Sequence, residues 1–129
     1  MFNGFFCRFA LFIVITCCYA ESNTLTIRMN TFRRNDLLKI SLNHYSKCSC
    51  VEAIQVIWSD QNNRPTIDES DKEYSGKVKY EMHDKNSLSN RFFPKLTITT
   101  LAVLSTDDDL LIPCDQLSFA LSVWKSNSK

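Results

Sequence analysis

Short apolar runs alternate along this chain with segments of helical period, and that alternation constrains the fold more than any other feature. "LTIRMN", residues 25–30, sets Leu25, Ile27 and Met29 against polar neighbours, the period of a half-buried strand. "NDLLKISLNHYSK" places Leu38, Leu42 and Tyr45 at helical spacing behind Asn35 or Asp36, either of them a good N-cap. "AIQVIW", residues 53–58, is short and rich in β-branched and aromatic residues, which predicts a buried strand feeding a polar loop. "KVKYEMH" alternates Val78, Tyr80 and Met82 and reads as an edge strand, and "LAVLS", residues 101–105, as another buried strand. "DQLSFALSVWK" puts Leu117, Ala120, Leu121 and Trp124 on one face of a helix capped by Asp115 after Pro113.

Strands that alternate with helices predict an α/β fold with a mostly parallel sheet. Ligands on such sheets bind beyond the carboxyl ends of the strands. That rule marks "NTFRR", "SD" after Trp58 and "TDDD" after "LAVLS", three polar strand ends expected to face one crevice. The chain holds no internal repeat and no glycine-rich phosphate loop. At 129 residues and formal net charge +1, it accommodates one ordinary domain and offers no broad basic surface, so no nucleic-acid partner is expected.

Residues 1–20 differ from the rest. A single charge, Arg8, precedes an uninterrupted apolar run from Phe9 to Ala20 that ends in small residues, the layout of a secretory signal; an uncleaved signal anchor with membrane association is the alternative. Cys7, Cys17 and Cys18 fall inside this segment, which leaves Cys48, Cys50 and Cys114. In an oxidising compartment three cysteines suggest one disulfide and one free thiol. Cys48 and Cys50 are too close in sequence to pair with each other, so Cys114 is expected to take one of them. A zinc site is disfavoured: His44 lies near the cysteine pair, but no second Cys/His pair completes a ligand set.

Asp107, Asp108 and Asp109 stand side by side, where each carboxylate disfavours ionisation of the others. Either the triplet is a solvated turn or a cation sits beside it. Carboxylates at a strand end are hard oxygen ligands suited to Mg²⁺ or Mn²⁺ carrying phosphates. A phosphate-bearing ligand also needs cations, and Arg33, Arg34 and Arg91 are available, with the amides of Asn86 and Asn90.

The ordered set "NTFRRNDLLKISLNHYSKC", "VIWSD", "KNSLSNRF", "VLSTDDD" and "LSFALSVWK" resembles the exostosin-like glycosyltransferase domain of glycosyltransferase family 64. It looks closer to the plant-type branch that includes a sphingolipid mannosyltransferase, and it runs from about Leu25 to Lys129. The resemblance implies a GT-A (Rossmann-like) nucleotide-diphospho-sugar transferase fold, with residues 21–129 as the N-terminal, nucleotide-binding half of the domain. It implies a divalent metal, usually Mn²⁺, a UDP- or GDP-linked sugar donor, and a glycan or glycolipid acceptor in the endoplasmic reticulum or Golgi lumen. Carried over by residue, Asp107 and Asp108 would face the ribose and sugar of the donor, and Asp109 would hold the metal. Asn30 and Arg34 would contact the base and phosphates, Ser59 would line the base pocket, and Asn86 and Arg91 would close over the nucleotide. Family members continue past the "FALSVW" helix into a half that supplies acceptor contacts and the groups of the transfer step, so the expectation is an incomplete enzyme with no catalytic residue assignable. The alternative is a non-catalytic nucleotide-sugar-binding or interaction remnant in the secretory pathway.

Overall fold

The computed structural model describes residues 23–65 and 72–128; the signal expectation for residues 1–20 lies outside them. Four strands form one sheet: β1 (Leu25–Thr31), β2 (Val51–Trp58), β3 (Val78–Met82) and β4 (Ala102–Asp107), in the order β3-β2-β1-β4. Every neighbouring pair is parallel. The α/β expectation therefore holds, with a wholly parallel sheet among the described residues. Helix α1 (Asn35–Ser46) connects β1 to β2, and α2 (Cys114–Asn127) follows β4. No described helix is long and apolar enough to cross a membrane.

Register explains the core. Ile27 and Met29 stand opposite Ile54 and Val56, which in turn stand opposite Val78 and Tyr80, so one face of the sheet is a continuous apolar layer. Leu38, Leu42 and Tyr45 of α1 and Leu117 and Leu121 of α2 are buried in the same core. The opposite face carries Thr26, Arg28 and Gln55, yet all three are buried. Thus β1 is not half-buried as its alternation suggests: the irregular segment after β3, which includes a short 3-10 helix at Leu88–Phe92, covers its polar face.

Other boundaries shift for physical reasons. Helix α1 begins at Asn35 with Arg34 as its N-cap, and no side chain caps it, so neither Asn35 nor Asp36 plays that role. Strand β2 starts two residues earlier than its apolar run, because Leu25 N–H donates to Cys50 O (2.8 Å) and extends the ladder backward. Strand β3 does lie at an edge, as its alternation predicts. Strand β4 is the opposite edge and is only partly buried, with Val103 and Ser105 exposed. It runs on to Asp107, which places the first aspartate of the triplet on the strand itself. Pro113 occupies the N-cap position of α2 with no side-chain cap, and Asp115 lies in the first turn rather than at the expected cap. It buries Leu117 and Leu121, whereas Ala120 is exposed and Trp124 is 43% exposed: the helix meets the sheet along a stripe narrower than its apolar face.

Cys114 pairs with Cys48, at a Cα–Cα distance of 5.3 Å, and joins the start of α2 to the end of α1; Cys50 is free and buried. The sulfurs are thus committed to each other, and His44, whose Nε2–H donates to Ile112 O (2.7 Å), takes no part in a zinc set. A dithiol would leave three potential ligands close together, but in the disulfide state none is a thiolate.

Candidate functional site

After β1 the chain moves to one side to build β2 and β3, then returns to the other side of β1 as β4. The carboxyl ends of β1 and β4 therefore flank the point where strand order reverses, the place where an open parallel sheet leaves a crevice. A crevice of about 160 Å³ lies there, lined by Asn30, Thr31, Phe32, Arg34, Ser59, Asn86, Ser87, Leu88 and Asp107. Five residues singled out in the sequence, Asn30, Arg34, Ser59, Asn86 and Asp107, meet in it. Two roomier depressions, about 320 and 410 Å³, lie elsewhere: the first borders the loop after β2, the second the amino end of the sheet near Asn23 and Cys50. Only the first touches α1 near Asn35, and neither gathers the aspartates, so the amide, arginine and aspartate side chains converge on the smallest of the three.

The like-charge problem of the triplet is solved by dispersing it. Asp107, level with Asn30 across the β1–β4 pair, accepts from Arg91 Nη2 (2.5 Å). The Asn30 amide oxygen, turned toward Arg91, accepts from the same Nη2 (2.9 Å). Asp108 is fully buried: its Oδ2 accepts from Thr31 Oγ1 (2.8 Å), its Oδ1 lies 2.5 Å from Arg34 Nη2, and its carbonyl accepts from Ser41 Oγ (2.6 Å). The Arg34 contact is an ion pair without hydrogen-bond geometry, so Oδ1 is a buried carboxylate oxygen that accepts no hydrogen bond. Asp109 is 53% exposed at the rim and pairs with Arg34 Nη1 (3.2 Å). Two arginines thus share the three carboxylates: Arg91 pairs with the first, and Arg34 bridges the second and third.

Two devices hold the turn in place. Helix α1 grips residues 108–114: besides Ser41 and His44, Tyr45 Oη donates to Leu110 O (2.7 Å) and accepts from Ile112 N–H (3.0 Å). Burial pushes the Tyr45 phenol up and the Ile112 amide opposes it, so the hydroxyl stays a donor. At the start of α1, Arg33 adopts φ 56°, left-handed for a non-glycine residue, and the chain reverses so that Arg33 and Arg34 reach different partners. Arg33 stacks over Phe32 (4.9 Å) and reaches Asp60 (3.4 Å), and does not itself line the crevice. Hydrogen bonding from Asn63, aided by the Asn62 amide and by Arg33, holds the Asp60 carboxyl below the usual range although burial raises it. Asp60 is therefore a brace for the loop after β2; its carbonyl accepts from Trp58 Nε1 (2.7 Å).

Across the crevice, Asn90 Nδ2 donates to Ser59 Oγ (3.3 Å) and Lys85 O (2.8 Å), which ties the segment after β3 to the end of β2. Sequence reasoning missed the residues beneath: Thr31 and Ser41, which bind Asp108, and the buried set Arg28, Gln55, Glu81 and His83 under the 3-10 helix. The one available signal was a charged residue in the polar phase of β1 and another in that of β3, which alternation alone assigns to solvent.

The glycosyl transferase family 64 domain matches residues 25–129. The chain is 38% identical over 114 residues to glycosylinositol phosphorylceramide mannosyl transferase 1 of Arabidopsis thaliana, a match covering 78% of this chain and 33% of that protein. It is 30% identical to glucosamine inositolphosphorylceramide transferase 1 of Oryza sativa subsp. indica, covering 95% of this chain and 19% of that protein. It is 33% identical over 106 residues to exostosin-2 of Homo sapiens, covering 81% of this chain and 15% of that protein. The chain thus corresponds to a third or less of the length of each of these relatives. A match that runs from the first residue of β1 through α2 takes in every strand end of the crevice, and by it the chain belongs to glycosyl transferase family 64.

Proposed function

We propose that the crevice at the ends of β1 and β4 binds the nucleotide-diphospho-sugar donor of a metal-dependent glycosyltransferase with a GT-A fold. The observation that carries this reading is the convergence of Asn30, Arg34, Ser59, Asn86 and Asp107 from four separate segments on one crevice, with Arg91 held against Asp107. Arg34 and the uncapped amino terminus of α1 supply the positive end for the diphosphate. Asn30, Ser59 and Asn86 offer neutral donors and acceptors for a base, UDP or GDP, and Arg91 closes over it. Asp107 faces the ribose. Asp108 acts from beneath, by orienting Arg34.

Asp109 presents a half-exposed carboxylate, a hard oxygen ligand of the kind that Mn²⁺ takes, whereas the buried Asp108 is occupied by Thr31 and Arg34. Asp109 would hold the ion together with the donor diphosphate. When bound, the ion supplies Lewis-acid stabilisation of the departing diphosphate. The names of the phosphorylceramide transferases support a glycolipid acceptor for the whole protein, and the Cys48–Cys114 disulfide supports an oxidising, secretory-pathway compartment.

The test is calorimetric binding of UDP-, GDP- and sugar-linked nucleotides with and without Mn²⁺. Asp109→Asn is expected to abolish the Mn²⁺-dependent part of nucleotide affinity and leave thermal unfolding unchanged. Equal affinity in the variant would remove Asp109 from metal binding. Sugar transfer is read separately, as donor-dependent product, so that nucleotide binding without transfer marks a binding module.

A further inference from the structure

We infer that Arg28 is a positioning residue for Arg91, holding the segment that carries it over the crevice through a buried ion pair with Glu81; this rests on the donor-site reading above. The segment needs such an anchor because the apolar core does not supply one. No residue of Leu88–Phe92 is buried, and Phe92 and Phe93 are 71% and 68% exposed.

Polar contacts replace the missing core at both ends of the segment. Arg28 is 2% exposed and uses all of its guanidinium nitrogens. Nη1 donates to Gln55 Oε1 (2.6 Å) and Glu81 Oε2 (2.9 Å), and Nη2 to Glu81 Oε1 (2.9 Å), a bidentate pair. Its Nε donates to the carbonyl of Arg91 (3.0 Å), and Nη2 approaches that of Asn90 (3.5 Å). Glu81 Oε2 accepts from the amides of Lys95 (3.0 Å) and Leu96 (3.1 Å), so the same ion pair fixes the far end of the segment. Gln55 Nε2 donates to Thr97 O (2.9 Å). The geometry fixes the backbone from which the Arg91 side chain reaches Asp107 and Asn30. Lysine at position 28 would keep the charge but cannot donate in the plane of a fork to a carboxylate and a carbonyl together.

Two measurements on the full chain decide the matter. Hydrogen exchange comes first: Arg28→Lys is expected to lose amide protection at residues 88–97 while β1, β2 and α1 keep theirs. A second variant, Arg28→Met with Glu81→Leu, removes both charges without leaving one unpaired, and should release the same segment if lysine proves too disruptive. The other measurement is a double-mutant cycle read by UDP and GDP affinity with Mn²⁺. Arg28→Lys is expected to weaken binding about tenfold, and to have no further effect in an Arg91→Ala background, since its action passes through Arg91. A purely structural role predicts equal losses in both backgrounds. Unchanged exchange at residues 88–97 in both variants, or additive losses in the cycle, overturns the inference. If the unsubstituted protein binds neither nucleotide, the donor-site reading fails, and hydrogen exchange alone decides the role of Arg28.

Discussion

Glu81 owes its ionisation to its surroundings. Burial pushes its carboxyl up, but the hydrogen bonds from Arg28, His83 and the Leu96 and Lys95 amides outweigh burial and bring it from 4.5 to about 2. A carboxyl lowered on folding favours the native state wherever it is ionised. Its contribution is therefore complete above about 4.5 and is lost as pH falls from there toward about 2. The difference corresponds to roughly 3 kcal/mol at most. Urea unfolding midpoints measured from pH 6 to pH 2 should fall through this window, and Glu81→Gln should flatten that part of the profile while lowering stability at neutral pH, because Arg28 is left buried without its counter-ion. A parallel fall in the variant would assign the acid sensitivity to other carboxylates. None of this was legible locally: Arg28 and Glu81 are 53 residues apart, and each alone looks like a solvated charge on an alternating strand.

At the scale of elements, the disulfide and helix α1 act as one clamp on the acidic turn. Cys48 and Cys114 are 66 residues apart, so the bond closes a long loop in the unfolded chain and should contribute about 2–4 kcal/mol. Cys48→Ser with Cys114→Ser is expected to lower stability by that amount, read by chemical denaturation, and to raise hydrogen exchange at residues 108–114 ahead of the sheet. Cys50 should resist thiol reagents in the native protein and react only on unfolding, since it is buried. A rapidly labelled Cys50 would show that its thiol is open to solvent. The sequence limited the partner of Cys114 to Cys48 or Cys50. The choice fell to Cys48 because it lies in the turn after α1, facing the start of α2, while Cys50 sits at the amino end of β2.

Over the whole molecule, apolar side chains are exposed at the β4 edge and on α2. Strand β4 bonds to β1 on one side only among the described residues, and Leu101 and Val103 are exposed beside it. Helix α2 exposes Phe119, Val123 and Trp124, close in sequence spacing to its buried Leu117 and Leu121. An unprotected edge flanked by apolar side chains favours association. Purified protein should therefore self-associate with rising concentration, and Phe119→Ser with Trp124→Ser should raise the monomer fraction in light scattering without altering the circular dichroism spectrum. A wild-type protein that stays monomeric at high concentration would show that these side chains are too scattered to form a contact.

The sequence by itself determined the order and type of the elements, the parallel sheet, and the strand ends that carry Asn30, Ser59 and the aspartates, because all of these follow from period and from the rule that parallel strands present one common end. It also marked the arginines that share the charge of the triplet. Tertiary structure alone decided what covers each face. Alternation states which residues share a side of a strand and is silent on whether that side meets water. So the polar face of β1 became a buried ion-pair layer once the segment after β3 lay across it, Trp124 remained outside because α2 touches the sheet along a narrow stripe, and Asp108 turned inward to Thr31 across a separation of 77 residues. Those outcomes depend on contacts between distant segments, whose energies appear only when the chain has closed the loops between them.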